Sequence, residues 1–193
     1  MKSLHTLDEV DIAPRETVQD IKGLTQLRKL GVGNISKDNC RELCSAIAAF
    51  SRLESLSLQS SSSGSLEGCL DGDGVFSPPK DLKSLKLWGR LVELSRWTQG
   101  LQNLEKLKLQ GTRLKDHAAA IQVLNQLPKL TILCLGLRSF DEGTELHFLE
   151  GSLRNLLALE LELYKGIKEV KIGEGAMPNL ELMLVSGRVV VEG

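Results

Sequence analysis

Aromatic rings are scarce in this sequence: one tyrosine, two tryptophans and four phenylalanines among 193 residues, or 4%. Rings supply much of the bulk in ordinary cores, so a ring-packed interior is excluded. Neither sign of charge prevails, with 24 lysines and arginines against 25 aspartates and glutamates. That balance lacks the broad basic excess of a nucleic-acid binder. No apolar run approaches the ~18 residues a membrane helix needs. The opening Met1-Lys2-Ser3-Leu4-His5 carries no signal-peptide stretch. The four cysteines, Cys40, Cys44, Cys69 and Cys134, show neither a CxxC pair nor zinc-ligand spacing. Free thiols in a reducing, cytoplasmic compartment are therefore expected, with Cys40 and Cys44 one helical turn apart and facing the core. The Asn34-Ile35-Ser36 sequon is expected to go unused there. Catalytic signatures are missing as well: no G-x-x-x-x-G-K-[ST], no G-x-S-x-G and no H-E-x-x-H. His5, His117 and His147 are scattered along the chain and expected at the surface. Binding rather than turnover is expected, with no enzyme activity, cofactor, metal or small-molecule substrate.

What is abundant is leucine, at 38 of 193 positions. It recurs as L-x-x-L-x-L in Leu27/Leu30/Val32, Leu53/Leu56/Leu58, Leu82/Leu85/Leu87, Leu104/Leu107/Leu109, Leu130/Leu133/Leu135 and Leu156/Leu159/Leu161. Weaker copies stand at Leu7/Val10/Ile12 and Leu180/Met183/Val185. Anchored on the middle residue, the spacings are 20, 26, 29, 22, 26, 26 and 24. All fall in the 20–29 window of leucine-rich repeats. The alternation inside each motif is that of a short strand with its leucines inward. One such unit cannot bury its own leucines, whereas stacked units share a continuous core. The expected architecture is an α/β solenoid, a leucine-rich-repeat horseshoe. Its concave face is a parallel sheet of about eight short strands, and irregular helical or loop returns cross the convex side. Residues 1–193 are expected to form this one domain.

Three returns have helical character. Ser36 to Phe50 opens on a capping serine and carries an apolar stripe of Cys40, Leu43, Cys44, Ile47 and Ala48. Asp116 to Leu127 is a second, and Arg15 to Ile21 follows a favourable first-turn Pro14. Ser60 to Lys80 is rich in Ser, Gly and Asp and ends in Pro78-Pro79, so a long mobile loop with few apolar anchors is expected at about 60–80. Ile167/Val170/Ile172 has strand alternation but follows its neighbour by only half a period, which suits the outer face. Trp97 is expected in the core. The turn asparagine of regular repeats is replaced by Thr112, Ser61 or Arg138, predicting uneven curvature.

The residues between the inward leucines line the concave face. Lys86, Lys106 and Lys108 make its middle basic, and Glu160 and Glu162 make its far end acidic. Trp88 follows Leu87 and points away from the core, flanked by Gln59 and Gln110. An exposed indole on a sheet face is the kind of anchor that dominates protein interfaces; it could also fold over Lys86 or Lys108 as a cation–π lid. Trp88, Lys86, Lys106, Lys108, Gln59, Gln110, Glu160 and Glu162 are the candidate protein-binding residues. As a catalytic pair the two glutamates lack a pocket and a nucleophile.

Several segments carry a family likeness. Leu94-Ser95-Arg96-Trp97 with Leu101-Gln102-Asn103-Leu104-Glu105-Lys106-Leu107-Lys108-Leu109 resembles the L-P-x-W-I-x-x-L-x-N-L-x-x-L-x-L run of plant intracellular disease-resistance proteins. Those proteins join a coiled coil, a nucleotide-binding domain and a leucine-rich-repeat domain. Gln126-Leu127-Pro128-Lys129-Leu130, Glu145-Leu146-His147-Phe148 and Glu174-Gly175-Ala176-Met177-Pro178-Asn179-Leu180 match in the same order, the last being the most specific. Leu24 to Val32 and Glu42 to Ile47 are also similar. The likeness spans nearly the whole chain, departing at Arg154-Asn155, where the family has a proline-containing run. It implies a role in innate immunity, with a protein partner: a pathogen effector, a guarded host protein, or a receptor's nucleotide-binding domain. The coiled coil and the phosphate loop are absent from these 193 residues. The alternatives are a hydrolase or other enzyme, which has almost no support in the sequence, a general intracellular scaffold in signalling, and a secreted inhibitor or receptor ectodomain. The last fits poorly with the missing signal peptide and capping cysteines.

Overall fold

The computed structural model describes residues 4–62, 64–70, 78–94, 96–163, 166–187 and 190–191. Strands β1 (Thr6–Asp11), β2 (Lys29–Ile35), β3 (Ser55–Ser60), β4 (Ser84–Trp88), β5 (Lys106–Gln110), β6 (Ile132–Leu135), β8 (Ala158–Glu162) and β10 (Leu182–Ser186) pair in that order. They form one eight-stranded sheet, and every pairing in it is parallel. Each expected repeat contributes one strand. The register runs Leu30, Leu56, Leu85, Leu107, Leu133, Leu159, Met183 across neighbouring strands. Leu56 to Leu159 along that line are at most 1% exposed. A parallel ladder demands this regularity, because a one-residue slip would turn a leucine pair out to solvent.

The entry to each strand is equally regular. The carbonyls of Arg28, Glu54, Lys83, Glu105, Thr131 and Leu157 each accept two backbone N–H groups from the next coil. At the outer rim, Asn103, Asn155 and Asn179 donate side-chain N–H to Lys80, Pro128 and Arg154 carbonyls, at 2.7–2.8 Å. The asparagine set before the first leucine of a coil thus ties it to the coil behind. Thr112, in the place of a turn asparagine, is fully buried and donates to the Ser139 carbonyl at 2.7 Å.

The returns differ from coil to coil. Helices α1 (Arg15–Lys22), α2 (Lys37–Ala48), α3 (Arg96–Gln99) and α4 (His117–Asn125) occupy some of them. Asn39 fixes the start of α2: its side chain accepts from Ser36 N–H at 2.9 Å and donates to the Ile12 and Asn34 carbonyls. Asp116 caps α4 by accepting from Ala119 N–H at 2.9 Å. Elsewhere the return is itself a strand: β7 (Thr144–Phe148), β9 (Ile167–Ile172) and β11 (Val190–Val191) form a second parallel sheet in the order β11-β9-β7. The outer-face placement of Ile167/Val170/Ile172 is thereby met. Strands stack about 5 Å apart and helices about 8–10 Å apart. The ladder must therefore bend most where returns are helical and flatten where β7, β9 and β11 match the inner spacing.

Two expectations need amending. Residues 63 and 71–77 of the 60–80 loop lie outside the described residues. Its described part is better anchored than its polar composition suggests, for Leu66, Cys69 and Leu70 are at most 5% exposed. Nor are the histidines all scattered: the His117 and His147 rings come within 6.2 Å, centroid to centroid. Cys40 and Cys44 are buried as expected, whereas the side chain of Trp97 lies outside the described part.

Candidate recognition surface

The side chains facing away from the leucine core fall into rows across the sheet, because parallel in-register pairing places equivalent positions side by side. One row runs Gly31, Ser57, Lys86, Lys108, Cys134, Glu160, Leu184. The next includes Gln59, Trp88 and Gln110, with Glu162 beside Ser186 farther along. All eight candidate residues therefore lie on one face. They do not form one cluster: the basic group sits on β4 and β5, and the two glutamates on β8, with β6 between.

Trp88 is 41% exposed. Lys86 Nζ lies 5.6 Å from its ring centroid, so the cation–π contact with Lys86 forms while the indole stays open to solvent. Gly89 follows at φ +133°, where a side chain would be strained and its Cβ would strike Ser60. The chain turns sharply there and leaves the ring at the end of its strand. Lys86 and Lys108 are direct cross-strand neighbours, an arrangement that like-charge repulsion disfavours. Among the described residues no carboxylate pairs with Lys86, Lys106 or Lys108.

A trough of about 650 Å³ runs from this basic group to the first strand, where Asp8, Glu9 and Asp11 line it. Lys29 pairs with Asp8. Asp11 accepts from Ala13 N–H at 2.8 Å, which with the Asn34 side chain holds its carboxyl below the ordinary range. The face is thus banded acidic, basic, acidic from β1 to β8. At the far end, Glu162 accepts from Leu137 N–H at 3.1 Å, so it shapes the turn after β6 as well as facing solvent. Cys134, in the same row as Lys108 and Glu160, is 4% exposed. Burial, reinforced by the Glu160 carboxylate, pushes its thiol up to about 11; it stays protonated at neutral pH. Leu182 and Leu184 on β10 are half exposed and make the last strand apolar.

One group does not stand out in the sequence as a cluster, Arg138 reading there only as a turn residue. Arg90, Arg113 and Arg138 stand just past the ends of β4, β5 and β6 and line a second cleft, of about 720 Å³, with Trp88 and Gln59. The signal was present: Gly89-Arg90, Gly111-Thr112-Arg113 and Gly136-Leu137-Arg138 place an arginine after a glycine in three successive coils. Among the described residues no group of three or more His, Cys, Asp or Glu could hold a metal ion. No helix there is long and apolar enough to cross a membrane.

Comparison with known proteins agrees with this architecture. A family model described as leucine-rich repeat region matches residues 1–192. Disease resistance protein RPM1 of Arabidopsis thaliana is 30% identical over 185 residues, which is 96% of this chain and 19% of that protein. Putative disease resistance RPP13-like protein 3, also of Arabidopsis thaliana, is 34% identical over 59% of the chain and 14% of its own length. Disease resistance protein PIK6-NP of Oryza sativa subsp. japonica is 28% identical over 89% of the chain and 17% of its own. The chain thus spans about a fifth or less of the relatives it matches. It belongs to the leucine-rich-repeat family, and over nearly its full length it is similar to the repeat-bearing disease-resistance proteins of plants.

Proposed function

We propose that this chain is a non-catalytic protein-recognition module of plant innate immunity, sensing a pathogen effector or a guarded host protein through its concave face. A nucleotide-binding domain of a receptor is a further partner of the same kind. The observation that carries the reading is Trp88, an exposed indole held in register between Gln59 and Gln110 on a rigid sheet. Interfaces concentrate their binding energy in such aromatic anchors, ringed by polar side chains. The three lysines beside it, Lys86, Lys106 and Lys108, which have no carboxylate partner among the described residues, add long-range steering toward an acidic surface. Glu160 and Glu162 set the charge that a partner must meet at the other end. The disease-resistance relatives support the immune role, and a cytoplasmic site suits four unbridged cysteines. One leucine-rich-repeat domain over 1–193 is part of this reading.

The test is affinity capture from plant extract, and from candidate effectors produced singly, comparing the wild-type chain with Trp88→Ala. Truncating an anchor costs more than ~1 kcal/mol of binding and leaves the fold intact, since the ring packs outside the core. A retained protein that Trp88→Ala releases supports the proposal; the same proteins held equally by both would remove this face from recognition.

A further inference from the structure

The cleft past the ends of β4–β6 has features that the concave lysines lack. Its three arginines belong to consecutive coils whose backbones are tied to one another. The Arg90 carbonyl accepts from Ser65 Oγ at 2.9 Å and Leu66 N–H at 2.7 Å. Arg113 N–H donates to the Arg138 carbonyl at 3.0 Å, and Leu91 and Val92 N–H to the Thr112 carbonyl. The side chains therefore leave a fixed backbone about one strand spacing apart, roughly 5 Å. Arg113 and Arg138 hold left-handed φ of 49° and 54°, a conformation long side chains seldom adopt. All three are exposed. Among the described residues none of the three has a carboxylate partner. Ser60, Ser61 and Trp88 complete the wall.

We infer that this arginine row binds an extended acidic segment of a partner protein, laid across the coils beside Trp88. The proposal rests on the protein-recognition reading above and names the chemistry of the partner. Guanidinium groups bind carboxylates through paired, charge-assisted hydrogen bonds. An extended chain presents same-side groups every ~6.6 Å, which flexible arginines on neighbouring coils can meet one by one. A single compact anion would have to draw all three cations to one point against their mutual repulsion, whereas an extended segment leaves them spread along the row; competition by inorganic phosphate separates the two. The serine hydroxyls offer donors to the segment's backbone carbonyls, and Trp88 a flat apolar wall for a side chain between the acids. The basic Lys86 and Lys108 continue the positive field inward, while the acidic bands at β1 and β8 confine an acidic segment to this zone.

The probe is a fluorescein-labelled heptapeptide alternating glutamate and serine, titrated with the full chain and followed by anisotropy. The test variant joins Arg90→Gln, Arg113→Asn and Arg138→Asn, asparagine being the side chain that best tolerates a left-handed backbone. A control of equal charge loss joins Lys37→Gln, Lys80→Gln and Lys171→Gln. Thermal melts confirm that each remains folded. Saturable binding is expected, weakened ~10-fold or more in the arginine variant and less than ~2-fold in the control, and falling with added salt. Absence of saturable binding, equal losses in the two variants, or competition by inorganic phosphate at peptide-like concentrations would each overturn the inference. So would a loss confined to Lys86→Gln, Lys106→Gln, Lys108→Gln. If Trp88→Ala releases a captured partner while the arginine variant keeps both partner and peptide, concave-face recognition stands and only the arginine row falls.

Discussion

Removing one leucine from the middle of the ladder should cost far more than removing its equivalent from the last strand. Leu107 is fully buried and meets Leu85 on one side and Leu133 on the other, both also fully buried. Leu107→Ala leaves a void between two rigid neighbours, and core leucine truncations of that kind cost about 3–4 kcal/mol. Met183 occupies the same position on β10 but is only partly buried, with Leu159 alone beside it in the sheet. Half the contacts imply about 1.5–2 kcal/mol for Met183→Ala. For a domain of this size each kcal/mol corresponds to roughly 2–4 °C, so the melting temperature should fall by roughly 6–16 °C for Leu107→Ala and roughly 3–8 °C for Met183→Ala. Urea unfolding followed by circular dichroism gives the free energies directly. A cost for Leu107→Ala no larger than for Met183→Ala would refute the nearest-neighbour picture, because a compact shared core would make the two positions equivalent.

A hydrogen bond from the Cys69 thiol holds Cys40 down to about 7, from an ordinary 9.0, while burial pushes Cys44 up to about 12. Iodoacetamide at pH 7.5, read by mass spectrometry, should label Cys40 ahead of Cys44 and Cys134; equal labelling would contradict it. A depressed thiol stabilises the fold only once ionised, so this contribution is full above about pH 9 and is lost as pH falls through about 7. The apolar strand β10 pairs with β8 on one side and exposes Leu182 and Leu184, whereas β1 carries an irregular register and Asp8, Glu9 and Asp11. Bulges and charges discourage edge pairing. The chain should therefore self-associate at high concentration, and Leu182→Lys with Leu184→Lys should suppress this in sedimentation velocity; a wild-type monomer at all concentrations would contradict it.

The parts of this molecule that local alternation governs were legible in the sequence. Leucines two apart specify a strand face, and their recurrence specifies the stack, so Leu30, Leu56, Leu85, Leu107, Leu133 and Leu159 align from the sequence alone. Trp88 could be turned outward by the same count. Properties that depend on how one coil sits over the next were not legible. Leu66, Cys69 and Leu70 are core residues hidden in a polar segment; neighbouring coils rather than composition bury them, as where Cys44 Sγ on α2 donates to the Cys69 carbonyl at 2.8 Å and Leu66 N–H to the Arg90 carbonyl. Strand β7 has a short, ordinary alternation that became strand only by pairing with β9. The arginine row escaped notice because its members follow their glycines by one or two residues, and only the turn geometry brings them to one cleft. Glu162 looked like a free surface charge, yet its acceptor is occupied by Leu137 N–H from the neighbouring coil.

The claim that recognition belongs to the concave face is most directly tested by site-specific photocrosslinking in plant cells. A benzophenone amino acid would replace Trp88 in one chain and Lys171, on the outer sheet, in another. Crosslinks to a discrete protein from position 88, with none from position 171, are the predicted result. The same protein crosslinked from 171 but not from 88 would place recognition on the opposite side and contradict the account.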